Sequence, residues 1–273
     1  MTPRTTDAKD ITAVVPARNA ADLLPRCLKA LQDSGVAEVI VVDGCSTDGS
    51  RDVARSHGAR VLSDEGRGLP WARTLGVQES LTPYVLLVDA DVVFGTGGVA
   101  ALLAEFRSGG YDALQAGLRS VGGPGYWGQA LANHHLTGRS RRWFGLVATL
   151  FERETMLRTG FDERFRSGED IELRWRMRRA GLRTGVSESV LVEHRFAGDT
   201  FAFALDQFLM DGFGLGRMIR TNGWRGARLG ILPAAAAARG VVLSLLRRQP
   251  RWVPYYAAFL GGNYLGMARG LRR

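Results

Sequence analysis

Acidic side chains stand at two places where an apolar segment of the chain ends. In VLLVDADV, Asp89 and Asp91 follow an apolar run, and in VIVVDG, Asp43 occupies the same position. Carboxylates are rarely buried without a partner. One acid at such an end can hold a hard divalent cation, Mg²⁺ or Mn²⁺, while its neighbour reaches a hydroxyl group of a ligand. The alternative at each place is a turn or helix cap, because Asp in a segment such as DGCSTDGS readily forms an Asx-turn.

A further acidic pair, Glu169–Asp170, follows FDERFRSG and opens IELRWRMRRAG, which has the spacing of a charged amphipathic helix. The dipole and the free N–H groups at a helix N-terminus stabilise carboxylates, so simple capping is one explanation of the pair. His194 lies at the end of the apolar segment SVLVEHRF. It either contacts a ligand or is a partly exposed histidine at the end of a strand. His134 and His135, in ANHHLTG, either meet an anionic ligand or belong to a solvated basic loop.

Strands and helices must alternate to bring such residues together. ITAVV, VIVV, RVL and YVLLV are apolar runs typical of buried strands, and the segments between them, such as AADLLPRCLKAL, have helical spacing. This alternation predicts an α/β fold with a parallel sheet, its first strand stopped by Pro16. Ligands of such sheets bind outside the carboxyl ends of the strands, where Asp43, Asp89 and Asp91 fall. Beyond Val121, the segments VGGPGYWGQ and TGRSRRWFG predict loops around a cleft.

The charge of the chain is unevenly distributed. All 27 acidic residues lie at or before Asp211, whereas eleven of the 36 basic residues follow it, so the net charge of +9 resides in the C-terminal tail. Such a tail favours an anionic surface as its partner. Two cysteines, Cys27 and Cys45, are too few for a disulfide framework and fit a reducing, cytoplasmic setting. No long apolar core precedes the first strand, so a signal peptide is not expected.

Five segments in a fixed order resemble the family-2 glycosyltransferases of the GT-A fold: VVPARNAADLLPRCLKAL, VIVVDGCSTDGS, GRGLPWARTLG, VLLVDADV and SGEDIELRWRMRRAG. The resemblance extends from about Ile11 to His194 and implies an α/β GT-A fold. Its Rossmann-like, mostly parallel central sheet would be flanked by helices. The tail after about Phe203 lies outside the resemblance, and its apolar stretches predict a helical C-terminal extension. The implied catalytic domain covers 1–200, with a nucleotide-sugar-binding half at 1–120 and an acceptor-binding half at 121–200. The basic, apolar helical region covers 201–273.

The resemblance implies that one group of residues binds the nucleotide-sugar donor. Pro16 to Asn19 would line the nucleotide site, and Asp43 would hydrogen-bond the base or the ribose. Arg67 and Arg73 would lie near the nucleotide and the D-x-D carboxylates. Asp89 would contact the sugar. The full set is Pro16, Ala17, Arg18, Asn19, Asp43, Arg67, Arg73, Asp89 and Ala90.

A second group would perform the chemistry. The resemblance makes Asp91 and His194 ligands of a divalent metal, Mn²⁺ or Mg²⁺. It makes Asp170 the general base that takes the proton of an acceptor hydroxyl, with Glu169 orienting the acceptor. These roles imply a metal-dependent, inverting glycosyltransferase that moves a sugar from a nucleotide-sugar donor to an acceptor hydroxyl. Thr74 departs from the asparagine frequent in the family, which leaves the nucleotide and the sugar open.

The tail contains two apolar stretches, about 229–246 and 252–267, each interrupted by proline and by glycine or arginine. Because a membrane-spanning helix needs about 20 apolar residues, interfacial helices are the better expectation. Tryptophans and tyrosines beside arginines predict peripheral contact with an anionic membrane, on the inner face of the plasma membrane. A lipid-linked or membrane-proximal acceptor would suit that position. The alternatives are helices that pack on the catalytic domain or that form a homodimer interface.

Two other functions fit parts of the sequence. A sugar nucleotidylyltransferase has a similar nucleotide-binding half, but that class needs a glycine-rich, basic loop after the first strand. PARNAADLLPR contains no glycine. A nucleic-acid-binding protein would account for the basic composition, yet the excess charge is confined to the tail. No helix-turn-helix, zinc or RNA-recognition signature is present, so no nucleic-acid partner is expected.

Overall fold

The computed structural model of the chain describes residues 8–137, 144–165, 167–195 and 198–272. The strands are β1 (Ile11–Ala17), β2 (Glu38–Asp43), β3 (Arg60–Ser63), β4 (Tyr84–Val88), β5 (Val92–Val93), β6 (Ala113–Val121), β7 (Ala148–Glu152) and β8 (Thr184–Arg195). The helices are α1 (Leu24–Asp33), α2 (Ser50–Ser56), α3 (Leu69–Glu79), α4 (Gly98–Ser108), α5 (Tyr126–Thr137), α6 (Arg153–Thr159), α7 (Glu169–Arg179), α8 (Phe201–Asn222), α9 (Leu232–Leu246) and α10 (Val253–Arg272). Short 3₁₀ turns include Gly223–Arg225 and Ala227–Ile231.

Within the described residues, the strands form one sheet in the order β3-β2-β1-β4-β7-β6-β8-β5. The pairs β1–β2, β1–β4 and β2–β3 are parallel, which confirms the α/β expectation for the first half of the chain. The pairs β4–β7, β6–β7 and β5–β8 are antiparallel, so the sheet is mixed where a mostly parallel one was expected. The difference has a simple cause, since an apolar run buried on both faces looks the same in either direction.

Strand β1 continues through Pro16 to Ala17, so the prediction that Pro16 stops it was wrong. Pro16 pairs with Val42 of β2, but the ladder between β1 and β4 ends at Val14. Proline is tolerated there because it lies beyond the last bond to β4, where a backbone donor is no longer needed on that side.

The core lies on both faces of the sheet. Alternate residues of β1 point to opposite sides: Ile11, Ala13 and Val15 join one buried apolar cluster, and Val14 joins the other. Strand β4 does the same, because successive side chains of a strand point to opposite faces. Because β1 pairs parallel with both β2 and β4, all three strands end at one edge of the sheet, where the loops that follow them can meet.

The chain divides into two compact units. Unit 1 comprises residues 1–118, 144–163 and 173–197 and holds the buried core just described. Unit 2 comprises 119–143, 164–172 and 198–273. The domain boundary predicted at residue 200 stays a prediction.

The helical C-terminal region predicted from the sequence is present in unit 2 as α8, α9 and α10. Helix α8 begins at Phe201, and its N-cap is Thr200, whose side-chain oxygen accepts a hydrogen bond of 3.2 Å from Phe203 N. Such an N-cap satisfies one of the free donors of the first turn. Among the described residues, 227–246 is long and apolar enough to cross a membrane by length and composition, with a mean hydropathy of 1.8.

The segment VGGPGYWGQ, predicted as a loop, is a loop only before Tyr126, where α5 begins. The carboxylate of Asp199 accepts hydrogen bonds from the backbone N–H groups of Gly125 and Gly128 at the start of this helix. The sequence did not predict this helix, because the acid that caps it, Asp199, lies 71 residues beyond Gly128. Most of TGRSRRWFG lies outside the described residues.

Candidate active site

The loops after β1 and β2 are tied together by Asn19. Its backbone N–H donates to Ser46 Oγ at 2.9 Å, and its side-chain oxygen accepts from Thr47 N at 2.9 Å. Asn19 has a positive φ of 50°, which asparagine tolerates better than most residues. The segment Pro16–Asn19, predicted to line the nucleotide site, therefore lies at the carboxyl edge of the sheet beside the loop that follows β2.

Asp43 ends β2 and is almost completely buried. Its carboxylate accepts hydrogen bonds from Arg51 Nε at 2.6 Å and from Ser46 N at 3.2 Å. Burial acts to raise the pKa of Asp43, but the hydrogen bonds from Ser46 and Arg51 outweigh it and hold that pKa below its usual range. Asp43 is thus a carboxylate at neutral pH, and it closes the local turn whether or not it also meets a ligand.

The two predicted arginines have different surroundings. Arg73 is buried in α3, and its Nη2 donates to Asp89 Oδ1 at 2.9 Å, so it lies beside the D-x-D motif. Arg67 is more exposed; its guanidinium stacks over the ring of Trp71 and donates to Glu163 at 2.8 Å. The structure therefore joins Arg73 directly to the acidic motif, while the contacts of Arg67 are with Trp71 and Glu163.

The D-x-D motif forms a tight turn between β4 and β5. The backbone N–H of Asp89 donates to Val147 O, and that of Val92 donates to Asp89 O, at 2.9 and 3.1 Å. Strand β5 then pairs with β8 in a register that places Val92 opposite His194. As a result, His194 Nε2 lies 3.3 Å from Asp91 Oδ2, and the two residues predicted as metal ligands are neighbours.

The charges of this cluster influence one another. Burial, reinforced by repulsion from Asp91, raises the pKa of Asp89, although Arg73 acts in the opposite sense. For His194, burial acts to lower the pKa, but the hydrogen bond to Asp91 and the charges of Asp91 and Asp89 outweigh it and raise that pKa. Asp91 contributes to both shifts, so the two carboxylates concentrate negative charge that an incoming cation would offset.

A carboxylate oxygen of the cluster has no hydrogen bond. Asp91 Oδ1 is buried and has no hydrogen-bond partner in the described part of the chain. Leaving a buried acceptor unsatisfied costs about 1–3 kcal/mol, more for a charged group. Mg²⁺ and Mn²⁺ are hard cations that take one or two protein carboxylates and complete their shell with substrate phosphates and water. The residues present fit such a cation, although the described residues contain no group of three or more His, Cys, Asp or Glu side chains arranged around one metal position.

The Glu169–Asp170 pair belongs to unit 2 and begins α7, as predicted. It follows Gly168, whose φ of +76° and close approach to Gly214 of α8 leave no room for a Cβ. Ser167 Oγ also donates to Met210 O of α8 at 2.6 Å. The turn that carries the acidic pair is therefore clamped against α8, and Glu169 is buried. Such a clamp fixes the backbone at the start of α7, and a positioned base requires a fixed backbone of this kind.

Asp211 is an acid of unit 2 that the sequence reasoning did not single out. It lies on α8 between Met210 and Gly214, the residues that clamp the turn. Loss of hydration, followed by repulsion from Asp170 and Glu169, raises the pKa of Asp211 to about 7, although its side chain is accessible to solvent. A sequence signal existed, because Asp211 is the last acid before the basic tail.

His134 and His135 lie on α5, not in the solvated loop that was one of their two interpretations. The ring of His134 packs 5.2 Å from that of Phe259 and 5.8 Å from that of Tyr255. Burial, with a smaller contribution from Arg239, lowers the pKa of His134 to about 4. His134 is therefore neutral at physiological pH and is a part of the helix packing in unit 2.

Comparison with known proteins agrees with this geometry. The profile of the family described as glycosyl transferase family 2 matches residues 12–169. An uncharacterized glycosyltransferase of Mycobacterium tuberculosis is 33% identical over 181 residues, which cover 63% of this chain and 81% of the relative.

Solved structures show the same fold. A mannosyltransferase, PcManGT from Pyrobaculum calidifontis, in complex with GDP-Man and Mn²⁺, has a TM-score of 0.67 at 19% identity and covers 96% of this chain and 88% of its own. Glucosyl-3-phosphoglycerate synthase from Mycobacterium tuberculosis, in complex with Mn²⁺, UDP and phosphoglyceric acid, has a TM-score of 0.56 at 21% identity over 79% of this chain and 80% of its own. The architecture is the GT-A fold, as expected from the sequence. The chain belongs to glycosyl transferase family 2 and is a glycosyltransferase.

Proposed function

We propose that this chain is a metal-dependent, inverting glycosyltransferase that moves a sugar from a nucleotide-sugar donor to an acceptor hydroxyl. The observation that carries the proposal is the arrangement at the end of β4, where Arg73 meets Asp89 and His194 meets Asp91, with Asp91 Oδ1 left unsatisfied. Two structural neighbours were solved with Mn²⁺ together with a nucleotide or nucleotide sugar, which supports a donor of this class.

In this proposal the donor lies along the carboxyl edge of the sheet in unit 1. The segment Pro16–Asn19 and Asp43 line the nucleotide, and Asp89 with Ala90 meets the sugar. A divalent cation held by Asp91 and His194 would neutralise negative charge on the leaving diphosphate. Arg73 orients Asp89 through their hydrogen bond of 2.9 Å.

Asp170 acts as the general base. Its carboxylate takes the proton of the acceptor hydroxyl while that oxygen forms a bond to the anomeric carbon of the donor sugar. The bond from the anomeric carbon to the diphosphate oxygen breaks, and its electron pair leaves with the nucleoside diphosphate. Because the acceptor oxygen enters opposite the leaving group, the configuration at the anomeric carbon is inverted. Glu169, buried beside Asp170, orients the acceptor or the turn.

The basic tail suits an acceptor at an anionic surface. We include in the proposal a lipid-linked or membrane-proximal acceptor, with the enzyme in the cytoplasm and peripheral on the inner face of the plasma membrane. The eleven arginines after Asp211, with no acid among them, support this location. A soluble acceptor in place of a lipid-linked one leaves the donor and base assignments unchanged.

The first test is donor binding. Thermal stabilisation of the purified chain by a panel of nucleotide sugars, with Mn²⁺ and with EDTA, identifies the donor. Calorimetry with that donor then compares Asp91→Ala with Asp33→Asn, a change at an exposed acid of α1 that pairs with Lys29. We expect Asp91→Ala to lose the Mn²⁺-dependent part of donor affinity and Asp33→Asn to keep it. Equal Mn²⁺ dependence in both variants contradicts the metal role of Asp91.

The second test separates chemistry from binding. Asp170→Asn keeps the size of the side chain but removes the base, so we expect transfer to fall by about 10²–10⁴-fold while donor affinity stays near that of the native chain. An Asn variant that transfers sugar at the native rate rules out Asp170 as the base. A variant that loses donor affinity and transfer together points to a structural role in place of the catalytic one.

A further inference from the structure

Helix α9 packs with its small residues and exposes its large ones. Its buried positions are Pro233, Ala237, Gly240 and Ser244, which share one face of the helix. A Cβ at Gly240 would lie 2.0 Å from the ring of Tyr256, so this face sits directly on α10. The packed side of α9 therefore uses little of the apolar surface that the helix carries.

The opposite side is open to solvent and, apart from the exposed Arg239, its large side chains are apolar. Its exposed fractions are 67% for Ile231, 39% for Leu232, 53% for Val242, 56% for Leu245 and 74% for Leu246. We call these five residues the apolar face of α9, including Ile231, the last residue of the 3₁₀ turn that leads into the helix. Only 28% of the most apolar window in 227–246 is buried. A surface helix of a soluble protein normally exposes a polar face, and an exposed apolar patch marks a site of interaction.

Arginines and a tryptophan surround the apolar face. Exposed Arg225 and Arg228 precede α9, and exposed Arg247 and Arg248 follow it. Trp224, 79% exposed, lies at the same end as Arg225. No acidic residue occurs between 212 and 273. An apolar strip bordered by arginines, with a tryptophan at one end, is complementary to an anionic lipid surface, whose headgroups meet the cations while the apolar strip enters the acyl boundary.

A second copy of the chain fits this face less well. Two copies joined through α9 would bring the arginines at its ends against arginines, with no acid in 212–273 to separate them. Like charges placed opposite each other are destabilising. A bilayer supplies the negative charge that a second copy lacks.

A spanning orientation is also disfavoured by charge. Arg239 is exposed near the middle of α9, and in a spanning helix it would lie near the centre of the bilayer. In a helix that lies in the plane of the interface, Arg239 and the terminal arginines can extend to the headgroups while their stems stay on the apolar surface.

We propose that the apolar face of α9, with Trp224 and the arginines at both ends of the helix, docks on an anionic bilayer with α9 in the plane of the interface. The proposal names the surface that makes the peripheral contact included above. It holds independently of the donor and base assignments, because docking requires no glycosyl transfer.

The experiment measures vesicle binding by flotation of the full chain. Vesicles are either pure phosphatidylcholine or three parts phosphatidylcholine to one part phosphatidylglycerol, at low and high NaCl. The test variant is Leu245→Glu/Leu246→Glu, and the matched control is Leu81→Glu, which makes the same change at a leucine of unit 1 that is 91% exposed. Arg247→Gln/Arg248→Gln tests the charges separately.

We expect the native chain to float with phosphatidylglycerol vesicles at low salt and to be released at high salt. Leu245→Glu/Leu246→Glu should weaken binding by about tenfold or more, because two leucines no longer enter the lipid. Leu81→Glu should bind like the native chain, and Arg247→Gln/Arg248→Gln should bind more weakly with less dependence on salt. In cells, a carbonate wash should release the protein from membranes.

Three results would overturn docking on a bilayer through this face, and a fourth would overturn only the orientation of α9. The first is a native chain that stays unbound to phosphatidylglycerol vesicles at low salt. The second is Leu245→Glu/Leu246→Glu binding as tightly as Leu81→Glu. The third combines two measurements: light scattering shows that the native chain is a dimer and that Leu245→Glu/Leu246→Glu is a monomer, and the native dimer does not bind vesicles. That result would assign the face to contact with a second copy of the chain. Resistance to the carbonate wash would replace the interfacial orientation with a spanning one.

Discussion

The contact between α8 and α10 provides a prediction with a control on the same helix. Gly262, Gly266 and Gly270 lie four residues apart and face α8. A Cβ at Gly266 would lie 2.1 Å from the carbonyl oxygen of Leu209, an atom of the α8 backbone. Gly261, also on α10, has no atom within 4 Å of the corresponding position. Gly266→Ala and Gly261→Ala therefore make the same chemical change in two different environments.

The magnitude of the difference follows from this geometry. To accept the new methyl group, α8 and α10 would have to separate by roughly 1 Å, because a backbone carbonyl cannot rotate away as a side chain can. Overpacking of this kind costs about 1–3 kcal/mol. Replacing Gly by Ala inside a helix returns about 1 kcal/mol in both variants. We expect Gly261→Ala to stabilise unit 2 slightly. Because the helix-propensity gain is common to both variants, Gly266→Ala should be less stable than that control by about 2 kcal/mol, the middle of the overpacking range.

Hydrogen exchange measured on the α8 and α10 amides is the suitable assay, because it reports local opening in a chain of two units. A difference of 2 kcal/mol corresponds to an exchange rate about 30-fold higher in Gly266→Ala than in Gly261→Ala. Gly212→Ala, whose Cβ would lie 2.0 Å from Asn263 O, should behave like Gly266→Ala. Equal protection in Gly261→Ala and Gly266→Ala would refute the close contact and the register of the two helices.

Three further predictions concern charged groups. His134 has a pKa of about 4 in the folded chain against 6.5 in the unfolded chain. Its contribution to stability is therefore complete above pH 6.5 and is lost as the pH falls toward 4. In thermal melts, the melting temperature of His134→Phe should fall less between pH 7 and pH 4.5 than that of the native chain. The pKa of Asp211 is raised from 3.8 to about 7 in the folded chain, so this residue lowers stability as the pH rises through that range. The melting temperature of Asp211→Asn, relative to that of the native chain, should therefore increase from pH 5 to pH 8. A difference that stays constant with pH would contradict this. Arg73→Met removes the partner of Asp89 in their 2.9 Å ion pair and should lower the free energy of unfolding in urea by about 3 kcal/mol. Adding Asp89→Asn should recover part of that loss. A loss below about 1 kcal/mol would mean that solvent already screens the pair.

Local patterns were sufficient to predict the strand ends of unit 1. Asp43 and Asp89 each follow an uninterrupted apolar run, and a parallel sheet brings such ends to one edge whatever the details of packing. The same reasoning placed Glu169–Asp170 at the start of α7, because the charged helical pattern begins there. These predictions needed only residues close together in the sequence.

Pairings between distant segments were not predictable in this way. His194 reaches Asp91 because β5, only two residues long, pairs antiparallel with β8 about 100 residues later. Resemblance to a family suggested His194, but no periodicity in the sequence indicates that register. Likewise, the contact of Gly168 with Gly214 clamps the acidic pair to α8 and brings Asp211 into range, and neither glycine carries a local sign of its partner.

Each of the two acidic sites carries an electrostatic cost. Asp91 retains a buried oxygen with no hydrogen bond in the described chain, and Asp211 is held near two like charges, Glu169 and Asp170. Each arrangement costs stability that a neutral residue would recover. Local rules are broken in native proteins mainly where function requires it. A cation beside Asp91 would relieve the first cost, and a proton taken from an acceptor hydroxyl would relieve the second, which is what the proposed reaction supplies.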